Sequence, residues 1–165
     1  MQIGDKWTVS DDLVRGFYEC CERDGIAKTV FFDGTISSSD ELLAAVQAPH
    51  NIVCFFFQRG YAVPVAFAWL NALGGHTAFA HFCILKCAWG DTARELGRMA
   101  INHWLSFPGP DGPLIHLILG TIPAFNRRAV GYVKSIGFRS YGQIPKLVKG
   151  RSGLSAGELV YYVRD

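Results

Sequence analysis

Residues 81–105 read HFCILKCAWGDTARELGRMAINHWL, and after a Pro/Gly loop residues 114–138 read LIHLILGTIPAFNRRAVGYVKSIGF. This stretch predicts strand, tight turn, helix, loop, strand, helix. The turn Trp89-Gly90-Asp91-Thr92 carries a glycine, and Thr92-Ala93-Arg94-Glu95 has the S/T-x-x-E spacing of a capping box. A helix is therefore expected to begin at Thr92, directly out of the preceding strand. Strand-to-helix turns of this kind leave backbone N–H groups converging on one spot, where an anion can sit. Further on, Asn126-x-x-Ala129 followed by Lys134-x-x-Gly137-Phe138 describes a second helix, closed by Gly137.

Working outward, the chain of 165 residues fits one domain over residues 1–165, long enough for a substantial core. Half of it is apolar (50%) and only 18% is charged, a globular composition. The formal charge is +2, and the basic residues are scattered apart from Arg127-Arg128 and the run at 146–151. Phosphate binding along a duplex needs a concentrated basic face, which argues against nucleic acid as the main partner. No apolar run reaches the length of a membrane span, and the first residues, MQIGDKWTVSDD, lack the layout of a signal peptide. The expected setting is the cytoplasm. The five cysteines contain no C-x-x-C pair, and reduced, mostly buried thiols are expected.

Ser10 is placed to cap an amphipathic helix over 11–23, followed by an extended piece over 29–32. Ser38-Ser39-Asp40-Glu41 is a second capping box, opening a short helix. Residues 51–57, 61–70 and 77–87 then read as a three-stranded antiparallel meander. After the helix at 92–105 comes a buried strand at 114–119, then a helix whose inner face is Ala129, Val130, Val133 and Ile136. Two strands near 138–144 and 158–163 close the chain, joined by a lysine- and glycine-rich loop at 146–157. A further strand is expected at 6–9. The resulting class is α/β (α+β), a mixed and mostly antiparallel sheet of six or seven strands with helices on both faces.

That element order, the turn at 89–92 and the N-x-x-A…G-F helix resemble the GNAT N-acetyltransferase superfamily. The resemblance covers nearly the whole chain by element order and is sharp over residues 81–138. It implies acetyl-coenzyme A, or another acyl-coenzyme A, held with its pyrophosphate on the turn. The pantetheine arm would lie between the fourth and fifth strands and meet Asn126. An amine would be the acceptor, attacking directly in a ternary complex.

Carried over residue by residue, the phosphate turn falls on Cys87, Gly90 and Thr92, with Trp89, Asp91 and Ala93 between and beside them. An alternative alignment uses Gly97-Arg98 as the closing Gly-Arg of the motif. Asp91 or Glu95 places a carboxylate beside the expected pyrophosphate, an unfavourable like-charge contact. The family's Tyr seven residues after the Asn is replaced by Val133. Tyr132 stands one residue early, about 100° around the helix, and is expected to be a partly exposed surface tyrosine. The donor to the departing thiolate is unassigned. His81 and His116, on the strands that flank the cofactor gap, are the candidate bases, His81 ahead by strand position. Glu158 or Tyr161 would line the acceptor side.

Other readings of the same residues stand beside these. Asn126 also serves as an ordinary helix N-cap. His81, Cys83 and Cys87 alternate on one strand, but such residues do not wrap a tetrahedral ion, so no metal is expected. Arg127 or Arg128 is available to neutralise cofactor phosphates. The sequence is loosely similar to divergent GNAT-like proteins encoded by phages, which implies a second function: a binding or assembly module whose groove is filled by its own side chains, with Trp89 as the plug. Pairing of the last strands between two chains would give a homodimer.

Overall fold

The computed structural model describes the backbone at residues 2, 3, 6 and 7 and the whole of residues 9–110 and 112–164. A two-residue hairpin, β1 (Gln2–Ile3) and β2 (Lys6–Trp7), opens the chain. The strand expected at 6–9 is thus realised at Lys6–Trp7 and pairs with β1, not with the main sheet; Thr8 lies outside the described residues. Ser10 accepts the Leu13 N–H, and α1 (Asp11–Arg23) buries Val14, Phe17, Tyr18 and Cys21, the stripe that its spacing predicts.

The next segment differs from expectation. Residues 27–30 form one helical turn, α2 (Ala27–Val30), where an extended piece was expected. Ala27 is buried there, so docking beneath α1 outweighs the β preference of Thr29 and Val30. α3 (Ser39–Gln47) is capped by Ser38, which accepts the Glu41 N–H. The Glu41 carboxylate reaches back one residue further than the capping box anticipates, to Ser37 N at 2.6 Å.

β3 (Ile52–Phe56), β4 (Ala66–Gly74) and β5 (Thr77–Ile84) form the expected antiparallel meander. β5 stops short of residue 87 because the chain tightens into a 3-10 turn at Lys86–Ala88. α4 (Asp91–Leu105) follows, then a small hairpin, β6 (Pro108–Gly109) and β7 (Gly112–Pro113), inside the Pro/Gly loop. β8 (Leu117–Pro123) lies three residues later than the strand expected to begin at 114. α5 (Arg127–Ser135) ends in a Schellman motif: Phe138 N–H reaches Val133 O, Gly137 N–H reaches Lys134 O, and Gly137 sits at φ +108°.

The expected loop at 146–157 is almost all strand. β9 (Arg139–Gly150) and β10 (Gly153–Val163) form one long hairpin around Arg151-Ser152, with register shifts between Ser155 and Gly157 and between Leu159 and Val160. Glycine and lysine read as loop, yet here Lys149, Gly150 and Gly153 hold ladder positions, and Lys146 falls in the irregularity opposite Ala156, which interrupts pairing without ending the ladder.

The six-stranded sheet runs β3-β4-β5-β8-β10-β9, antiparallel except for β5 against β8. One face carries α1–α3 over a core that includes Phe17, Leu42, Val46 and Phe67. The other carries α4 and α5 over a core of Leu70, Trp104, Ile118 and Val160. This is the mixed sheet with helices on both faces that the sequence predicts. Among the described residues, no helix is long and apolar enough to cross a membrane.

Candidate active site

The site arises from a defect in the sheet. The parallel strands β5 and β8 pair only over Thr77–Phe79 and Leu117–Leu119, and beyond those residues they part. The resulting notch is a cavity of about 150 Å³. Ala80, His81 and Phe82 form one edge and residues 120–123 the other. Thr29, Val30 and Phe32 close it on the α1–α3 side; Asn126, Ala129, Tyr132 and Val133 of α5 close it on the opposite side. Gly120 keeps the far edge thin, because a Cβ there would stand 3.1 Å from Val160 Cγ2.

His81 is half-buried in this notch, and its position follows from the alternation of β5: Phe79, His81 and Cys83 share the face beneath α1. The ring is the end of an aromatic ladder that crosses three strands. Phe55 stacks on Phe67 at 5.5 Å, Phe67 on Trp69 at 4.6 Å, and Trp69 on His81 at 4.5 Å with 12° between planes. His81 Nε2 lies 3.2 Å from Asn71 Oδ1. With that carbonyl as partner, Nε2 carries the proton and Nδ1 holds the lone pair. Burial pushes the imidazolium down to about 4, so the ring is neutral at physiological pH. The other titratable group in the cleft, the Tyr132 phenol, is raised well above its ordinary value by burial. Among the described residues, the cleft lining contains no Asp, Glu, Lys or Arg and is therefore uncharged near neutrality.

The turn after β5 supplies the polar end. α4 begins one residue earlier than expected, with Gly90 and not Thr92 at the N-cap. Gly90 adopts φ +88° and ψ −133°, a region nearly reserved for glycine, and the helix has no side-chain cap. The expected capping box does not form, which leaves the first-turn amides without the side-chain oxygen that would normally occupy them. Asp91 is turned to Arg94 in an ion pair, so its charge is partly neutralised where it stands. Trp89 donates its indole N–H to Ile84 O at 3.0 Å, and the Arg128 guanidinium lies 4.1 Å over its ring. Trp89 does not line the cavity and so does not plug it.

Asn126 caps α5 and stands at the cleft. Its Oδ1 accepts the Ala129 N–H at 3.1 Å as the N-cap of α5, and the residue also lines the cleft. With Oδ1 in use, its Nδ2 amide is the group left to donate to a guest. Tyr132, expected near the surface, instead packs between α4 and α5. It meets Phe82 edge-on at 5.7 Å and donates its hydroxyl to Ala93 O at 3.1 Å. Both Tyr132 and Val133 face the cleft, because α5 presents a broad stripe to it. Gly97 has a packing role: a Cβ there would stand 2.3 Å from the Tyr132 hydroxyl.

Several expected site residues lie elsewhere. His116 precedes β8, is exposed, and contacts His76 ring-to-edge at 5.2 Å. Register puts Thr121 level with His81, so His116 is displaced by five residues, about 16 Å along the strand. Cys87 is exposed in the 3-10 turn, outside the cavity, and Cys83 is buried with its sulfur 3.5 Å from that of Cys21. Glu158 is held by Ser140 and by Lys134 at 3.1 Å, which lower its pKa; Tyr161 packs against Tyr141. Neither lines the cleft, whose β10 contribution is Val160. Trp69 and Thr121 were not anticipated. The alternation Phe67, Trp69, Asn71 on β4 was the available signal, but it does not reveal which face meets the notch.

No protein-family model and no curated protein matches the sequence. Solved structures share its fold. Spermidine N-acetyltransferase from Vibrio cholerae, solved with CoA and spermine, superposes with a TM-score of 0.72 at 15% identity, over 94% of this chain and 92% of that one. Ribosomal-protein-S5-alanine acetyltransferase from Vibrio fischeri gives 0.73 at 10% identity, over 95% and 91%. The microcin C7 self-immunity acetyltransferase, solved with acetyl-CoA and AMP, gives 0.71 at 11% identity, over 94% and 89%.

Proposed function

We propose that this chain, which has the fold of the GNAT N-acetyltransferases, transfers an acyl group, acetyl by preference, from acyl-coenzyme A to an amine. The observation that carries this reading is the notch: two parallel strands part beside a helix N-terminus that has no side-chain cap. The residues fit the cosubstrate at both ends. First-turn amides of α4 behind Gly90 suit a diphosphate, since they point along the favourable end of the helix dipole. Arg128, over Trp89 at the same end, adds a positive charge. The uncharged cleft and the Asn126 amide suit a narrow, amide-bearing arm. The structures of like fold solved with CoA or acetyl-CoA support the same assignment.

When bound, the thioester supplies an acyl group that moves from sulfur to nitrogen, and the proton lost by the nitrogen balances the one gained by the sulfur. The chain's own residues supply the surroundings. His81, neutral and held by Asn71 and Trp69, offers its Nδ1 lone pair for the amine proton, directly or through a water. Unpaired edges of residues 80–82 and 120–123 orient the guest by main-chain hydrogen bonds, and the apolar walls exclude competing water. Tyr132 is committed to Ala93 O and serves as packing. The assembly-module reading loses its main support, because Trp89 leaves the cavity open.

Calorimetric titration with acetyl-coenzyme A is the test, with coenzyme A alone as a second run. Wild type should bind with micromolar affinity, and Arg128→Glu should weaken binding about tenfold, the loss expected of one charge-assisted contact with phosphate. Absence of binding at millimolar ligand would remove the transfer reading.

A further inference from the structure

We propose that the acceptor is a weakly basic aromatic amine, whose ring continues the Phe55–Phe67–Trp69–His81 ladder by stacking on the open face of His81. The inference deepens the transfer reading and depends on it.

The geometry supports it first. The ladder steps from β3 to β4 at 5.5 Å (Phe55–Phe67), runs along β4 at 4.6 Å (Phe67–Trp69), and crosses to β5 at 4.5 Å (Trp69–His81), the last step lying close to the separation of neighbouring strands. It stops at His81 because the next strand, β8, has left the sheet at that level. The β8 residue level with His81 is Thr121, half-buried and too small to fill a ring's place. A planar acceptor on the α1–α3 face of the sheet, above the strand gap that the cosubstrate's arm takes, therefore meets an aromatic face on the His81 side and a short hydroxyl-bearing side chain on the other. Offset stacking of this kind adds to the area term alone.

Charge supports it independently. The wall on the α1–α3 side is Thr29, Val30 and Phe32, and none of them carries a negative charge. The carboxylate whose charge reaches His81, that of Asp33, is exposed and accepts from the Thr35 N–H and hydroxyl. An ammonium group brought into this cleft would lose its water and find no anion. His81, with its pKa lowered by burial, is too weak a base to strip a proton from an alkylammonium. At pH 7 only about one lysine-like amine in 2,500 is neutral. The nitrogen must arrive uncharged. An aromatic amine does so, since its lone pair is delocalised into the ring, and its proton becomes acidic as soon as the nitrogen is acylated; a water at the edge of the His81 ring carries it to Nδ1, whose lone pair lies in the ring plane and not over the stacked face.

The experiment measures thiol release from acetyl-coenzyme A with 4-methoxyaniline, phenethylamine and spermidine, from pH 6 to 9, alongside calorimetric binding of acetyl-coenzyme A. The expected kcat/KM at pH 7 is at least about tenfold higher for 4-methoxyaniline than for phenethylamine, with spermidine lowest. The 4-methoxyaniline profile should be flat, while that of phenethylamine rises about tenfold per pH unit as its free base appears. Thr29→Asp, an exposed substitution on the acceptor wall, should raise phenethylamine about tenfold relative to 4-methoxyaniline by supplying the missing anion. Spermidine equal to or better than 4-methoxyaniline would overturn the acceptor class and leave acyl transfer standing. Acetyl-coenzyme A binding without release to any of the three amines would also overturn it. No acetyl-coenzyme A binding would remove the transfer reading, and this one with it.

Discussion

Tyr132 donates its hydroxyl to Ala93 O, and Gly97 sits beneath that hydroxyl, so the two residues form one packing unit between α4 and α5. From the sequence Gly97 could be read as part of a phosphate motif; in the fold it is the gap into which a tyrosine fits. Gly97→Ala should therefore lower stability by about 1–2 kcal/mol, overpacking outweighing the gain in helix propensity. A Cβ at Gly97 would also meet Ile136 Cδ1 at 2.8 Å, so relief by Tyr132→Phe should be partial. The double variant should be less destabilised than the sum of the single ones, measured by urea unfolding. Additive losses would show that the hydroxyl is not what Gly97 accommodates. Helical phase identified Val133 as inward correctly, but phase alone cannot say how wide a stripe a neighbouring helix will bury.

At the scale of the element, α4 and α5 begin in opposite ways. α5 has a side-chain cap in Asn126, whereas α4 starts from a glycine with none. The difference separates structure from binding at Asn126. Asn126→Ala should cost about 1 kcal/mol of stability through loss of the cap. Asn126→Asp keeps the capping oxygen but replaces the Nδ2 donor by an acceptor. It should leave the melting temperature nearly unchanged and weaken acetyl-coenzyme A severalfold, read by calorimetry. Equal affinity in Asn126→Asp and wild type would reduce Asn126 to a cap. The helix itself was legible in the sequence; its first residue was not. The S/T-x-x-E spacing at Thr92 offered a cap, but Gly90 reaches φ +88° at little cost and lets the helix start earlier.

Across the whole molecule, the two helical layers cover opposite faces of one sheet, and residues from both line the gap between β5 and β8. Hydrogen exchange of the intact protein should show this directly. Acetyl-coenzyme A should slow exchange at amides within residues 80–82 and 120–123 by at least about tenfold, while the antiparallel β9–β10 hairpin stays unchanged. Protection spread evenly over the sheet would point to general stabilisation and not to a guest in the notch. The order of elements, the meander, the α1 stripe and the Asn126 cap could all be read along the chain, because each rests on contacts within a few residues: helical period, strand alternation and local turn chemistry. His81, nominated by its place on the strand before the turn, lines the cleft. What the chain could not reveal was which residues become neighbours across the gap. The displacement of His116, the commitment of Glu158 to Lys134 and Ser140, and the ladder ending at His81 depend on inter-strand register. A shift of one residue there turns every side chain to the other face, and nothing local to either strand specifies it. The sequence by itself determined most of the elements and their order, because these rest on local periodicity; the tertiary structure alone decided where the sheet opens, because that is set by how far two strands distant in the chain stay paired.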